Sequence, residues 1–181
     1  LDIELQNSKG SGDSIAKVDT NRADIGLADA VVVIPRVAQG AKIKIVSAVF
    51  DLTPLNMWTR KDTGITKPKD LEGKRIGVPE YQMTAPVWIR GILADDYGVK
   101  VTDVEHFSGG EEEPGRDEKL KLDLPSAIRL KPIAGDKTLS RMLAGGELDA
   151  LVTARAPSTF YKEPDKVKRL FPNYVEVEKD Y

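Results

Sequence analysis

Residues 77–93, GVPEYQMTAPVWIRGIL, carry four polar side chains between the end of an apolar run and the start of a helical one: Glu80, Tyr81, Gln82 and Thr84. A helix that begins near Thr84 turns its unpaired N–H groups and the positive end of its dipole toward that loop. Such an end receives a carboxylate, a sulfonate or a similar anion. There Tyr81 would stack on a ring, Gln82 and Thr84 would hydrogen-bond, and Glu80 would accept. The alternative is that Thr84 caps the helix and Tyr81 packs.

Ser11-Gly12-Asp13 is a second candidate of the same kind. A glycine-bearing loop ahead of a helix lets backbone N–H groups approach an anion, unless Asp13 simply caps the helix. Asp29, at the end of an apolar run, either accepts from a ligand hydroxyl or amine or starts the next helix. Arg155 follows another apolar run; a guanidinium there clamps a carboxylate or forms a hinge ion pair. His106, in VEHFSGG, and Glu80 are the two candidate acids for proton transfer; a hydrogen-bonded or surface histidine is the alternative. The run around Arg116, EEEPGRDEK, is most simply a solvated loop. Trp58 and Trp88 read as packing residues.

The composition narrows the chemistry. There is no cysteine and one histidine among 181 residues. Disulfides and thiolate metal sites are excluded, and a Ser-His triad or a histidine metal site is disfavoured. A net charge of -2 with 31% charged residues gives no polybasic surface for nucleic acid. No apolar run is long enough to span a membrane.

The elements that must position these residues alternate. Strands are predicted at Leu1–Leu5, Ala23–Ala28, Lys42–Phe50, Pro54–Arg60, Lys74–Val78, Val101–Phe107, Ile128–Pro132 and Ala150–Thr153. Helices are predicted at Ser14–Asn21, Val31–Gln39, Thr84–Tyr97 and Lys137–Leu143, with a single helical turn near 66–71 and mixed helix and loop over 157–170. The order NRADIGLADA at 21–30 recurs as GELDALVTAR at 146–155: a helix end, a turn, an Asp, a short apolar strand, then a polar residue. In open α/β sheets ligands bind at the carboxyl ends of such strands. Two units of this form imply two α/β lobes: 1–60 as the first, 61–155 as the second, and 156–181 as a return segment.

The segments GSGDSIAKVDTNRADIGLADA, AQGAKIKIVSAVFDLTPLNMWTRKDTGI and KPKDLEGKRIGVP resemble ABC-transporter substrate-binding proteins of the nitrate/sulfonate/taurine type. GVPEYQMTAPVWIRGIL, GGEEEPGRDEK, KTLSRMLAGGELDAL and VKRLFPNYVEVEKDY resemble 4,5-dihydroxyphthalate decarboxylases. Both resemblances imply a type II periplasmic-binding-protein-like α/β fold, with a ligand cleft between two lobes and with the chain incomplete at both ends. The first implies a non-enzymatic receptor for a small anionic ligand, delivered to an ABC permease, in a periplasmic or extracellular setting. The second implies a cytoplasmic, cofactor-independent decarboxylase. A regulator's sensing domain shares the fold class, but the motifs fit it poorly. The sequence favours the receptor, with Ser11, Gly12, Asp13, Asp29, Tyr81, Gln82, Thr84 and Arg155 as ligand contacts and no metal or cofactor.

Overall fold

The computed structural model of the chain describes residues 2–47, 56–118 and 122–177. It divides into two compact units, residues 1–51 and 52–181.

The second unit is built on one six-stranded sheet. Its strands are β1 (Asn56–Arg60), β2 (Arg75–Val78), β3 (Glu105–Ser108), β4 (Arg129–Pro132), β5 (Ala150–Thr153) and β6 (Val167–Arg169), in the order β4-β3-β2-β5-β1-β6. Strands β4, β3, β2 and β5 run parallel, and β1 runs antiparallel to both β5 and β6. The carboxyl ends of four strands therefore face one edge. Asn56, the first residue of β1, lies at the same edge, paired with Thr153.

All four residues of β5, Ala-Leu-Val-Thr, are buried, as expected for a central strand covered on both faces. Alternation along the strands then assigns each face. Ile76, Val78, Ala150 and Val152 pack with Ile89 and Leu93 of helix α3 (Thr84–Asp95). Trp58, Leu151 and Val167 pack with Leu139, Met142 and Leu143 of helix α4 (Leu139–Gly145). Phe160 of the short helix α5 (Ser158–Lys162) closes this second face, its ring centroid 4.5 Å from that of Trp58. A last helical turn, α6, covers Tyr174–Val177.

The predicted strand at Ala150–Thr153 matches the structure residue for residue. The other elements of this unit lie within a few residues of their expected places. Asn56–Arg60, assigned from sequence to the first lobe, hydrogen-bonds into the second unit's sheet, and β6 draws the segment after 156 into that sheet as well.

The first unit departs further from expectation. It holds helix α1 (Ser11–Asp19) and helix α2 (Ala30–Ala38) and, among the described residues, no strand. The segments 2–5, 23–28 and 42–47 carry no strand ladder. The remainder of the predicted 42–50 strand, and residues 54 and 55 of the next, lie outside the described residues. The physical reason is that period-two patterning specifies a face but a strand exists only when a neighbour supplies its hydrogen bonds. Here Ile3, Leu5, Ile25, Leu27, Ile45 and Val46 stay exposed.

Trp88 also differs from its reading as a packing residue: on the outer face of α3, it is half exposed. Leu151→Ala, inside the sheet sandwich, is expected to lower unfolding stability by about 2–5 kcal/mol. Trp88→Ala is expected to change it by no more than about 0.5 kcal/mol. Denaturant titration of the two variants checks the contrast.

Candidate functional site

In the second unit the polar residues gather at the carboxyl edge of the sheet, on the loops that follow β2, β3 and β5. The loop after β3, 109–118, crosses the other two. Its course is fixed at both helix starts on the far face. The Gly110 and Glu111 carbonyls accept from Leu139 N (2.9 Å) and Ser140 N (3.0 Å), the first amides of α4. Glu112 accepts from both the backbone N and the Oγ of Ser158, 2.6 Å each, at the first residue of α5. Glycine is required twice: a Cβ on Gly109 would lie 2.3 Å from the Ile133 side chain, and one on Gly110 would lie 1.7 Å from the Glu113 carbonyl oxygen.

Three acidic groups meet at this edge, Glu111 and Glu118 from this loop and Glu80 from the loop after β2. Glu111 accepts from Thr153 Oγ1 through Oε2 at 2.6 Å, while its Oε1 is buried without a hydrogen-bond partner among the described residues. Burial raises its pKa above the usual carboxylate range; the Thr153 hydrogen bond opposes this, Glu112 adds to it, and the Arg155 and Arg116 charges oppose it. Glu80, 7% exposed, accepts from Arg116 Nε at 2.9 Å and pairs with Arg116 Nη2 as well. Glu118 accepts from Tyr81 N at 2.7 Å.

Arg116 also places Nη2 4.0 Å from Met83 Sδ. Met83, rather than Thr84, occupies the cap position of α3, and no side chain caps that end. Val87 N bonds the Met83 carbonyl and Pro86 has no N–H. The amides of Thr84 and Ala85 therefore begin the helix without an intrahelical acceptor. Thr84 and Gln82 are exposed beside them. A cavity of about 490 Å³ opens next to the loop, with Ser108, Gly110, Arg116, Pro132, Ile133 and Gly135 in its wall, a volume suited to a small ligand.

Arg155 is exposed just beyond β5, its amide bonded to Thr153 Oγ1 at 3.3 Å. Its guanidinium has no ion-pair partner among the described residues.

Two sequence candidates lie inside the core. The Tyr81 ring, 4% exposed, has the Arg90 guanidinium 3.7 Å from its centroid and meets His106 edge-on at 5.1 Å. That leaves it under α3 rather than presented as a stacking platform. His106, 1% exposed, shares this pocket, with Nδ1 unpartnered. Burial first, and then the Arg90 charge, push its pKa from 6.5 down to about 4. A neutral, enclosed imidazole does not supply a proton at neutral pH.

The remaining candidates belong to the first unit. Ser11 is the first residue of α1, and its Oγ accepts from Asp29 N at 3.1 Å, so the starts of α1 and α2 are tied together. Gly10, not Asp13, holds the cap position. Asp13 accepts from Lys9 N (3.0 Å) and Ser8 Oγ (3.1 Å) and pairs with Lys17 (3.1 Å). Those contacts, the Lys9 amide foremost, hold its pKa near about 2. Gly12 lies in the first turn of α1, and Asp29 is exposed at the start of α2.

Glu111 is the residue that sequence reading missed. Within three consecutive glutamates nothing distinguishes it. The available signal was Gly109-Gly110 directly after a predicted strand, which marks a tight path at a sheet's carboxyl edge. Among the described residues no group of three or more His, Asp or Glu side chains is arranged to hold a metal ion. No helix is long and apolar enough to cross a membrane.

Two outcomes follow. Gly110→Ala forces the loop off its path and is expected to cost about 1–3 kcal/mol of stability, read by thermal or denaturant melting. For His106 the folded value lies below the unfolded one. Its neutral form thus supports the fold fully above about pH 6.5, and that support is lost as pH falls toward about 4, amounting to about 3 kcal/mol. His106→Gln is expected to flatten the stability profile between those pH values. A slope matching the wild type would refute the assignment.

The family model described as NMT1/THI5 like matches residues 1–113. The chain is 47% identical over 116 residues to a 4,5-dihydroxyphthalate decarboxylase of Comamonas testosteroni, an alignment covering 64% of this chain and 35% of that protein. It is 49% identical over 116 residues to the one of Pseudomonas putida, covering 64% and 45%. Among solved structures, the periplasmic aliphatic sulphonate binding protein SsuA from Escherichia coli aligns with a TM-score of 0.50 at 13% identity, over 89% of this chain and 46% of that one. Both resemblances read from the sequence are thus found, and the fold is that of a periplasmic binding protein. The chain spans less than half the length of each of these relatives.

Proposed function

The chain belongs to the NMT1/THI5-like family, and from that premise we propose that it binds a small organic anion at the carboxyl edge of the second unit's sheet. The observation that carries this reading is the placement of Arg116. Its guanidinium lies against the cap residue of α3 and in the wall of the 490 Å³ cavity. A ligand carboxylate or sulfonate would take the outer face of that guanidinium and the Thr84 and Ala85 amides. Pro132 and Ile133 would receive an apolar or aromatic body, and exposed Arg155 offers a second cation. Released unchanged to an ABC-type permease, the ligand makes the protein a solute receptor of the periplasm or cell surface.

A second reading, decarboxylation of an aromatic dicarboxylate in the cytoplasm, is favoured by Glu111, a carboxyl that burial biases toward its protonated form at the same edge. The identity to two proteins named 4,5-dihydroxyphthalate decarboxylase supports it.

Thermal-shift titration with 4,5-dihydroxyphthalate and with an alkanesulfonate tests the site. A saturable rise is expected, weakened about 10–100-fold in Arg116→Gln, the loss of one charged hydrogen-bond set. An equal rise with the uncharged dimethyl ester would sink the anion site. Mass spectrometry of the same mixtures separates the readings: ligand recovered intact supports the receptor, and a product lighter by one CO2 supports the decarboxylase.

A further inference from the structure

Resting on the anion-site reading, we infer that Met83 is a site of oxidation by hydroperoxides, and that the sulfoxide it forms closes the site by taking an Arg116 N–H that a ligand anion would use. Three observations meet at this side chain. The sequence holds three methionines and no cysteine, so no thiol of this chain competes for an oxidant. Met57 and Met142 are 5% and 7% exposed and belong to the two packed faces of the sheet, whereas Met83 is partly exposed. Met83 also occupies the cap position of α3, with its Sδ 4.0 Å from Arg116 Nη2.

A thioether is a weak acceptor and gains little from that guanidinium. A sulfoxide oxygen is a polar acceptor. Projecting from a sulfur already 4.0 Å from Nη2, it comes within hydrogen-bond reach of the same nitrogen. Arg116 can serve it without leaving Glu80. Its Nε and Nη2 both engage one Glu80 oxygen, Oε1, and Nη2 carries a second N–H. That second N–H lies beside the start of α3, where no side chain caps the Thr84 and Ala85 amides. An oxygen placed there stands in for the oxygen of a bound carboxylate or sulfonate. The ligand then loses one prong of the guanidinium fork.

The step balances as follows. A lone pair of Met83 Sδ attacks the terminal oxygen of the hydroperoxide, and the O–O bond breaks. The departing oxygen takes the proton of the transferred hydroxyl and leaves as water or an alcohol. Sulfur is oxidised by two electrons, and the peroxide is reduced by two. A methionine sulfoxide reductase reverses the change.

The test treats the protein in its full length with hydrogen peroxide and follows each methionine by peptide mass spectrometry. Addition of one oxygen is expected at Met83 at least about 10-fold faster than at Met57 and Met142, in line with exposure. Equal or faster reaction at either buried methionine overturns the site. Thermal-shift titration with 4,5-dihydroxyphthalate and with an alkanesulfonate is then repeated on the oxidised protein. Binding is expected to weaken about 10–100-fold, the loss of one charged hydrogen bond, and to return after reductase treatment. Met83→Leu is expected to hold its own starting affinity through the peroxide treatment. Affinity that survives oxidation in the wild type, or falls as far in Met83→Leu, overturns the closure. If neither ligand binds before treatment, the anion-site reading fails, and the contact is decided by melting alone. Oxidation is expected to lower the Tm of Arg116→Ala by more than that of the wild type, because only the wild type offers the sulfoxide its donor. If Arg116→Ala does not fold, the comparison is made in Glu80→Gln, with and without Arg116→Ala. Equal losses overturn the Met83–Arg116 assignment.

Discussion

The arrangement at the sheet's carboxyl edge depends on two backbone hydrogen bonds, from Leu139 N to Gly110 O and from Ser140 N to Glu111 O. The first amides of a helix need acceptors, and α4 obtains them from the loop that follows β3. The bargain is mutual: the helix end is satisfied, and the loop is held across the ends of β2 and β5. Only a backbone without side chains at 109 and 110 can pass so close to Ile133 and to the Glu113 carbonyl. Once that path is set, Glu111 must lie over Thr153, Glu112 over α5, and Arg116 over Glu80.

The electrostatics follow from how those carboxylates are spent. A run of three glutamates would repel itself if it were merely clustered. Here Glu112 caps α5, where the helix dipole welcomes its charge. Glu80 is neutralised by Arg116 in a half-buried pair. Among the described residues Glu111 has one hydroxyl and no cation in direct contact, so burial dominates and its neutral form gains. Three carboxyl groups within one loop system thus meet three different partners: a helix start, a guanidinium and a hydroxyl.

Most of the second unit was legible from sequence because its strands are short apolar runs bounded by helices with clear stops. Ala-Leu-Val-Thr at 150–153 needs no distant information to be read as a buried strand. The helix from Thr84 to Asp95 keeps its apolar stripe at Ala85, Ile89 and Leu93. The first unit failed for the opposite reason. The runs at 23–28 and 42–47 carry strand-like patterns, but a ladder is a non-local property and none forms there. At the site, the sequence located the loop at 80–84, yet it could not tell which polar side chains turn inward. Tyr81 and His106 fall on the α3 face of the sheet and are enclosed, whereas Gln82 and Thr84 stay in solvent. Glu111 differs from Glu112 and Glu113 only through its place over Thr153, a contact 42 residues away in sequence.

The bias of Glu111 toward its neutral form matters to either proposed use of the edge. Two like charges about 4 Å apart cost about 4 kcal/mol at the effective dielectric of a protein surface. An ionised Glu111 would set that repulsion against the anion proposed to bind beside Arg116. In its acid form, which burial favours, it would set no such repulsion against an anion. A bound anion would in turn favour the protonated form further, since each charge penalises the other. Binding and protonation therefore reinforce one another at this edge.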